Sequence, residues 1–383
     1  MKKTRIPTVF ACFSLVCLVL FLVSTPVFAE EFFFDGSSNN WNSFFEQLPP
    51  ELQSELGEIS FEEPIEAAGE LSKKFTVSYW IEKITCEIEA IFFPSLKNAL
   101  AIFGMLIIIA SIKPFSEDLM SNSFGKVFEL CSDLCIASVI VVLSEGIIGM
   151  CCAYLDRLCG IINVMIPVTE GIYLIEGSLT QLSVHKTAML LYIGITSNLN
   201  NLVLRPMFGV LFGFTISGSI FHEFGFNGFV EGFKKALMTV ISVFTLLFSF
   251  VLGIQTVLAR SADSLGMKTA RLFLGSFIPI IGGTMAEALT TLKEGIGLIR
   301  SVVGIGGIVL LLLLILPVLC SILVNSLLLS FCHMAADIMG CGNSAKIIDS
   351  FKSVLTILAA VVCATTLLFI MALILFVKVG NGA

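Results

Sequence analysis

From Leu96 to Val377 the chain is a succession of apolar runs, and a water-soluble globule has no room to bury them all. The seven runs are Leu96–Ile112, Val127–Met150, Thr187–Leu204, Met207–Phe221, Ala236–Leu258, Ser301–Val324 and Val354–Val377. Most are long enough to cross about 30 Å of hydrocarbon as a helix. The composition agrees: of 383 residues, 56% are hydrophobic and 13% are charged, with a mean hydropathy of +0.98. A soluble domain carries about 25% charged residues, so lipid must solvate much of this surface. In lipid every backbone polar group needs an internal partner, which leaves helices or a closed barrel. The expected fold is all-α: a polytopic helical membrane protein with about seven spans, two broken or re-entrant segments and a short helical extracytoplasmic segment.

The two broken segments stand out from the plain spans. Ser276–Arg300 is apolar at its start, then carries Pro279, the pair Gly282–Gly283 and Glu287. Gly160–Leu174 places Pro167 in its middle and Glu170 just beyond. Ile166-Pro167-Val168-Thr169-Glu170-Gly171 has a short counterpart in Ile278-Pro279-Ile280-Ile281-Gly282-Gly283. Paired, Pro/Gly-interrupted apolar segments in two halves of a membrane chain are the sequence pointer to a midplane site. Pro279, Gly282, Gly283, Glu287, Pro167 and Glu170 are therefore candidate channel or packing residues. Arg205 and Pro206, which separate two apolar runs, join them.

The formal charge of −7 is unevenly spread. Residues 30–90 hold fourteen acidic side chains and three lysines, whereas the membrane part is nearly neutral. That distribution argues against nucleic acid as a partner. Residues 1–29 read as a secretory signal peptide, with Lys2, Lys3 and Arg5 ahead of an apolar stretch and a small-residue context at Ala29; an uncleaved anchor is the alternative. Residues 30–90 then form an acidic extracytoplasmic helical segment, and residues 91–383 a multi-spanning membrane domain. Counting Lys and Arg under the positive-inside rule places Lys113, Arg205, Lys293, Arg300 and Lys378 together on the cytoplasmic side.

No hydrolase elbow, phosphate-binding loop or pair of catalytic carboxylates appears. Gly304-Ile305-Gly306-Gly307 opens an apolar run without a preceding strand and reads as a close-packing surface. The twelve cysteines lack zinc-type or redox-type spacing, and Cys332, His333 and Cys341 provide only three ligands of two kinds; neither a metal nor a cofactor is expected. Asp133, Glu145, Glu170, Arg205, Glu223 and Glu287 lie within or against apolar runs, where each should face protein, water or a partner. Asp133 and Glu145 are separated by about 120° at about 100° per residue, so they do not share a stripe.

Leu48-Pro49-Pro50-Glu51-Leu52, Arg205-Pro206 and above all Gly275-Ser276-Phe277-Ile278-Pro279-Ile280-Ile281-Gly282-Gly283 with Glu287-Ala288 resemble the stage III sporulation protein AE family of endospore-forming bacteria. The resemblance implies a member of an assembly that connects the mother cell to the engulfed forespore. That assembly includes a secretion-like ring and an ATPase, with this member in the mother-cell membrane around the forespore. It implies partners among the other membrane and ring proteins of the stage III sporulation complex, together with the lipid bilayer. It implies no catalytic residues and a role as a permease or export-gate element. Two other readings fit the same residues: a self-standing secondary transporter of a small solute, and a structural membrane scaffold that recruits ring proteins.

Overall fold

The computed structural model describes residues 73–118, 122–176, 178–206, 238–254 and 282–381, with a few helical positions between 209 and 236. The described residues are helical apart from short turns. In chain order they form α1 (Val77–Asp118), α2 (Asn122–Ile175), α3 (Leu179–Asn198, continued by a π-helical turn at Leu199–Leu204), α4 (Met238–Ile254), α5 (Gly282–Ile338) and α6 (Gly342–Asn381). Four of these helices are long and apolar enough to cross a membrane, and α4 is a shorter apolar helix. The chain is an all-α polytopic membrane protein.

α5 is the axis of the bundle. Its spanning part has 89% of its most apolar stretch buried, against 22% for α1. The cause is the run Ile308–Leu316, which is apolar on every side; a helix apolar all round must be enclosed. α6 packs antiparallel along α5, α1 lies on another side, and α2 with α3 closes the rest. The α5–α6 turn is a Schellman motif: Cys341 N–H donates to Ala336 O at 2.9 Å and Gly340 N–H to Asp337 O at 3.2 Å. Gly340 takes the left-handed φ of 73° that this turn requires.

Two expectations change. The re-entrant reading of Gly160–Leu174 does not hold, because that stretch is helical throughout and continuous with Val127–Met150 inside α2. Likewise Gly282 and Gly283 open α5, which runs unbroken to Ile338, so residues 282–300 are not a separate re-entrant piece. A proline in a membrane helix forfeits one hydrogen bond without ending the helix, since the neighbouring carbonyls have no better partner in lipid. Pro279 and residues 276–281 lie outside the described residues, as do both ends of the proposed signal peptide. α1 runs straight across position 90, where the acidic segment was expected to give way to the membrane domain.

These continuous helices are long. At about 1.5 Å per residue, α2 with 54 residues is about 80 Å and α5 with 57 residues is about 85 Å, both far more than one hydrocarbon core.

Candidate functional site

Arg300, on α5, is wholly buried, and its Nη2 donates to Glu176 Oε2 at 2.5 Å. Glu176 opens the α2–α3 turn, where Ser178 N–H donates to Tyr173 O at 3.0 Å and holds the chain reversal tight. The guanidinium carbon stands 4.7 Å from the centre of the Tyr173 ring and 4.8 Å from that of Phe376 on α6. His185, on α3, completes the enclosure, 5.3 Å from the Tyr173 ring and 5.6 Å from Phe376. Four helices thus contribute to one cation. Among the described residues Nε and Nη1 have no hydrogen-bond partner, and the aromatic faces receive that side of the charge.

A second polar junction ties α3 to α2. Asn200 is wholly buried, and its Nδ2 donates to Cys152 O at 3.0 Å and to Asp156 Oδ1 at 2.8 Å. Arg205 Nη2 reaches the other Asp156 oxygen at 2.7 Å. Pro206 has no N–H to offer Leu202 O, and the helix widens into its π turn just before it. Nearer the turn, Lys186 Nζ pairs with Glu170 Oε1 at 2.9 Å. The Asp156–Arg205 pair is about half exposed on both sides, so Asp156→Ala should cost less than about 1 kcal/mol. Asn200→Ala should cost more, about 1–3 kcal/mol, because it removes two hydrogen bonds from a buried side chain at about 0.5–1.5 kcal/mol each. Thermal unfolding of the two variants in the same detergent tests that order.

At the opposite end of the bundle, α2 caps α6. Asn343 Nδ2 donates to Glu129 Oε1 at 2.6 Å, and Ser344 Oγ to Asp133 Oδ1 at 3.2 Å. Two carboxylates thereby face the positive end of a helix. Lys113 Nζ donates to Gly340 O at 2.8 Å on the same side.

Of the residues expected to matter, Glu170, Arg205 and Pro206 fall together on the α2–α3 hairpin, and Pro167 is exposed on α2. Gly282, Gly283 and Glu287 lie on the first turns of α5, and their side chains lie outside the described residues. Glu176 was not singled out, and Arg300 was read only as one of the charges on the cytoplasmic side. The contacts also overturn the assignment of charges to sides. Arg300, counted as cytoplasmic, touches Glu176, which the same count leaves outside. Lys113, counted as cytoplasmic, touches Gly340, which it also leaves outside. The count treated each apolar run as one crossing, whereas α2 and α5 each absorb a supposed re-entrant piece. Among the described residues no group of three or more His, Cys, Asp or Glu is placed to hold a metal ion.

A family described as Stage III sporulation protein AE matches residues 60–380. A protein named Stage III sporulation protein AE, from Bacillus subtilis (strain 168), is 28% identical over 151 residues. That match spans 39% of this chain and 37% of the relative's length. No solved structure matches.

Proposed function

The chain belongs to the stage III sporulation protein AE family, and from that premise we propose that it is a non-enzymatic membrane component of the sporulation channel linking mother cell and forespore. In this reading it sits in the mother-cell membrane, with residues 30–90 outside the cytoplasm, and acts as a permease or export-gate element beside the other membrane and ring proteins of the stage III complex. The observation that carries the reading is the family match over residues 60–380, which takes in nearly every described helix. The geometry is compatible with it: a central apolar helix, with the Arg300–Glu176 pair at one end of the bundle and the buried Ser344–Asp133 contact at the other, suits a fixed element in a larger assembly.

Replacement of the gene in its own host tests this. Loss of heat-resistant spores is expected, together with co-purification of other stage III membrane proteins with the full chain. Normal spore yield, with solute transport by the chain purified alone, would establish the secondary-transporter reading instead. If only deletion of residues 30–90 abolished assembly, while substitutions in the membrane helices were silent, the scaffold reading would stand.

A further inference from the structure

α3 turns a polar face into an apolar bundle. Gln181, His185, Tyr192, Thr196 and Asn200 are all buried, at helical spacings of four and seven. Two of them, Thr196 and Asn200, have no exposed surface at all and are incompletely bonded. Thr169, Thr365 and Thr366, the other buried threonines among the described residues, each donate to a carbonyl three or four positions back in their own helix. Thr196 does not: its Oγ1 makes no hydrogen bond among the described residues. Asn200 Nδ2 faces two acceptors, Cys152 O and Asp156 Oδ1, so the amide cannot be turned round. Its Oδ1 is therefore an acceptor, and among the described residues it has no donor.

These two oxygens stand where one small molecule meets both. Residues four apart on a helix have Cβ atoms about 5–6 Å apart. Two hydrogen bonds of about 2.8 Å through a shared atom span that distance. The helix widens between them, where the π turn begins at Leu199. Tyr192 Oη stands near Thr196 without bonding it, and donates instead to Thr365 O on α6 at 2.7 Å. Cys152 and Asp156, on the other side, lie midway along the spanning stretch Val127–Ile175 of α2.

The chemistry selects water. Asn200 Oδ1 needs a donor, and Thr196 Oγ1 can give a proton or accept one. A water molecule meets both demands, as buried waters do for otherwise unsatisfied groups. A metal cation would draw on the same lone pairs, but the carboxylate at this site, Asp156, is already neutralised by Arg205. Its dehydration would then have no countercharge to offset it. Leaving both oxygens bare costs more than immobilising one water. We propose that Thr196 and Asn200 bind a structural water midway along the bundle, which joins α3 to the seam between α2 and α6.

Thr196→Val, a change of hydroxyl for methyl at nearly constant shape, tests this on the full chain purified in one detergent. With the water in place the variant loses one of its bonds, and should unfold about 1–3 °C below the parent chain. A bare hydroxyl would give the opposite sign, because the change would then remove an unsatisfied group. Thr169→Val is the control and should shift less, since that hydroxyl bonds only its own helix. Unfolding temperatures in sodium chloride and in choline chloride at equal strength should agree. A high-resolution experimental structure should show density within about 3.2 Å of both oxygens, and that density settles the matter even where the variant fails to fold. An unfolding temperature unchanged or raised by Thr196→Val, or no such density, overturns the proposal. A sodium-dependent unfolding temperature that Thr196→Val abolishes overturns it in favour of a cation.

Discussion

Glu176→Ala is expected to destabilise the protein by about 3–5 kcal/mol, among the largest effects of any single substitution in the described bundle. The change leaves Arg300 wholly buried without its carboxylate. The aromatic faces of Tyr173 and Phe376 offset only part of that loss. Arg300→Met should be milder, because Glu176 is 17% exposed and retains access to solvent. Combining Arg300→Met with Glu176→Leu removes both charges and should recover most of the stability lost in Glu176→Ala. Thermal unfolding of the four proteins in one detergent, with their steady-state level in the membrane, decides the matter. A double variant no better than Glu176→Ala would mean that the site acts through packing and that the charges are incidental.

Gly304→Leu should be similarly damaging, through a different cause. A Cβ added at Gly304 meets Val377 Cγ2 on α6. Valine in a helix has one strongly preferred side-chain rotamer, so it cannot swing aside. Overpacking of this kind costs about 1–3 kcal/mol for Gly304→Ala, and Gly304→Leu should exceed that. Gly307 is nearly as tight, with Met165 Cε at 2.7 Å from an added Cβ and Leu373 Cδ1 at 3.1 Å. Gly306 is the internal control: nothing stands within 4 Å of a Cβ added there. Gly306→Ala should therefore be neutral, or stabilising by up to about 1 kcal/mol through helix propensity. Equal losses from Gly304→Ala and Gly306→Ala would rule out contact with α6 as the cause.

The helical class, the lipid environment and the close-packing role of Gly304 and Gly307 are all legible in the sequence, because each rests on local composition. The separate facing of Asp133 and Glu145 is legible too: Asp133 turns inward to Ser344, and Glu145 turns outward. What escapes is whatever depends on the far side of the fold. Pro167 reads as a break because a proline in water usually ends a helix, while here α2 continues past it. Arg300 reads only as one of the cytoplasmic charges because its partner lies 124 positions away, and neither apolar run advertises the other. The aromatic enclosure is invisible for the same reason, since Tyr173, His185 and Phe376 come from three helices. Arg205 was recognisable as unusual, but the reason, a shared grip on Asp156 with Asn200, lies across the hairpin.

Phe376 gives the Arg300 enclosure an order in time. It is made 76 residues after Arg300, on the last of the described helices to leave the ribosome. At bacterial rates of synthesis that interval is about 4–15 s. Throughout it α5, the most apolar helix of the bundle, lacks the neighbour that closes over its arginine. Nascent chains halted within that window should be the ones most dependent on insertion factors and most open to membrane proteases.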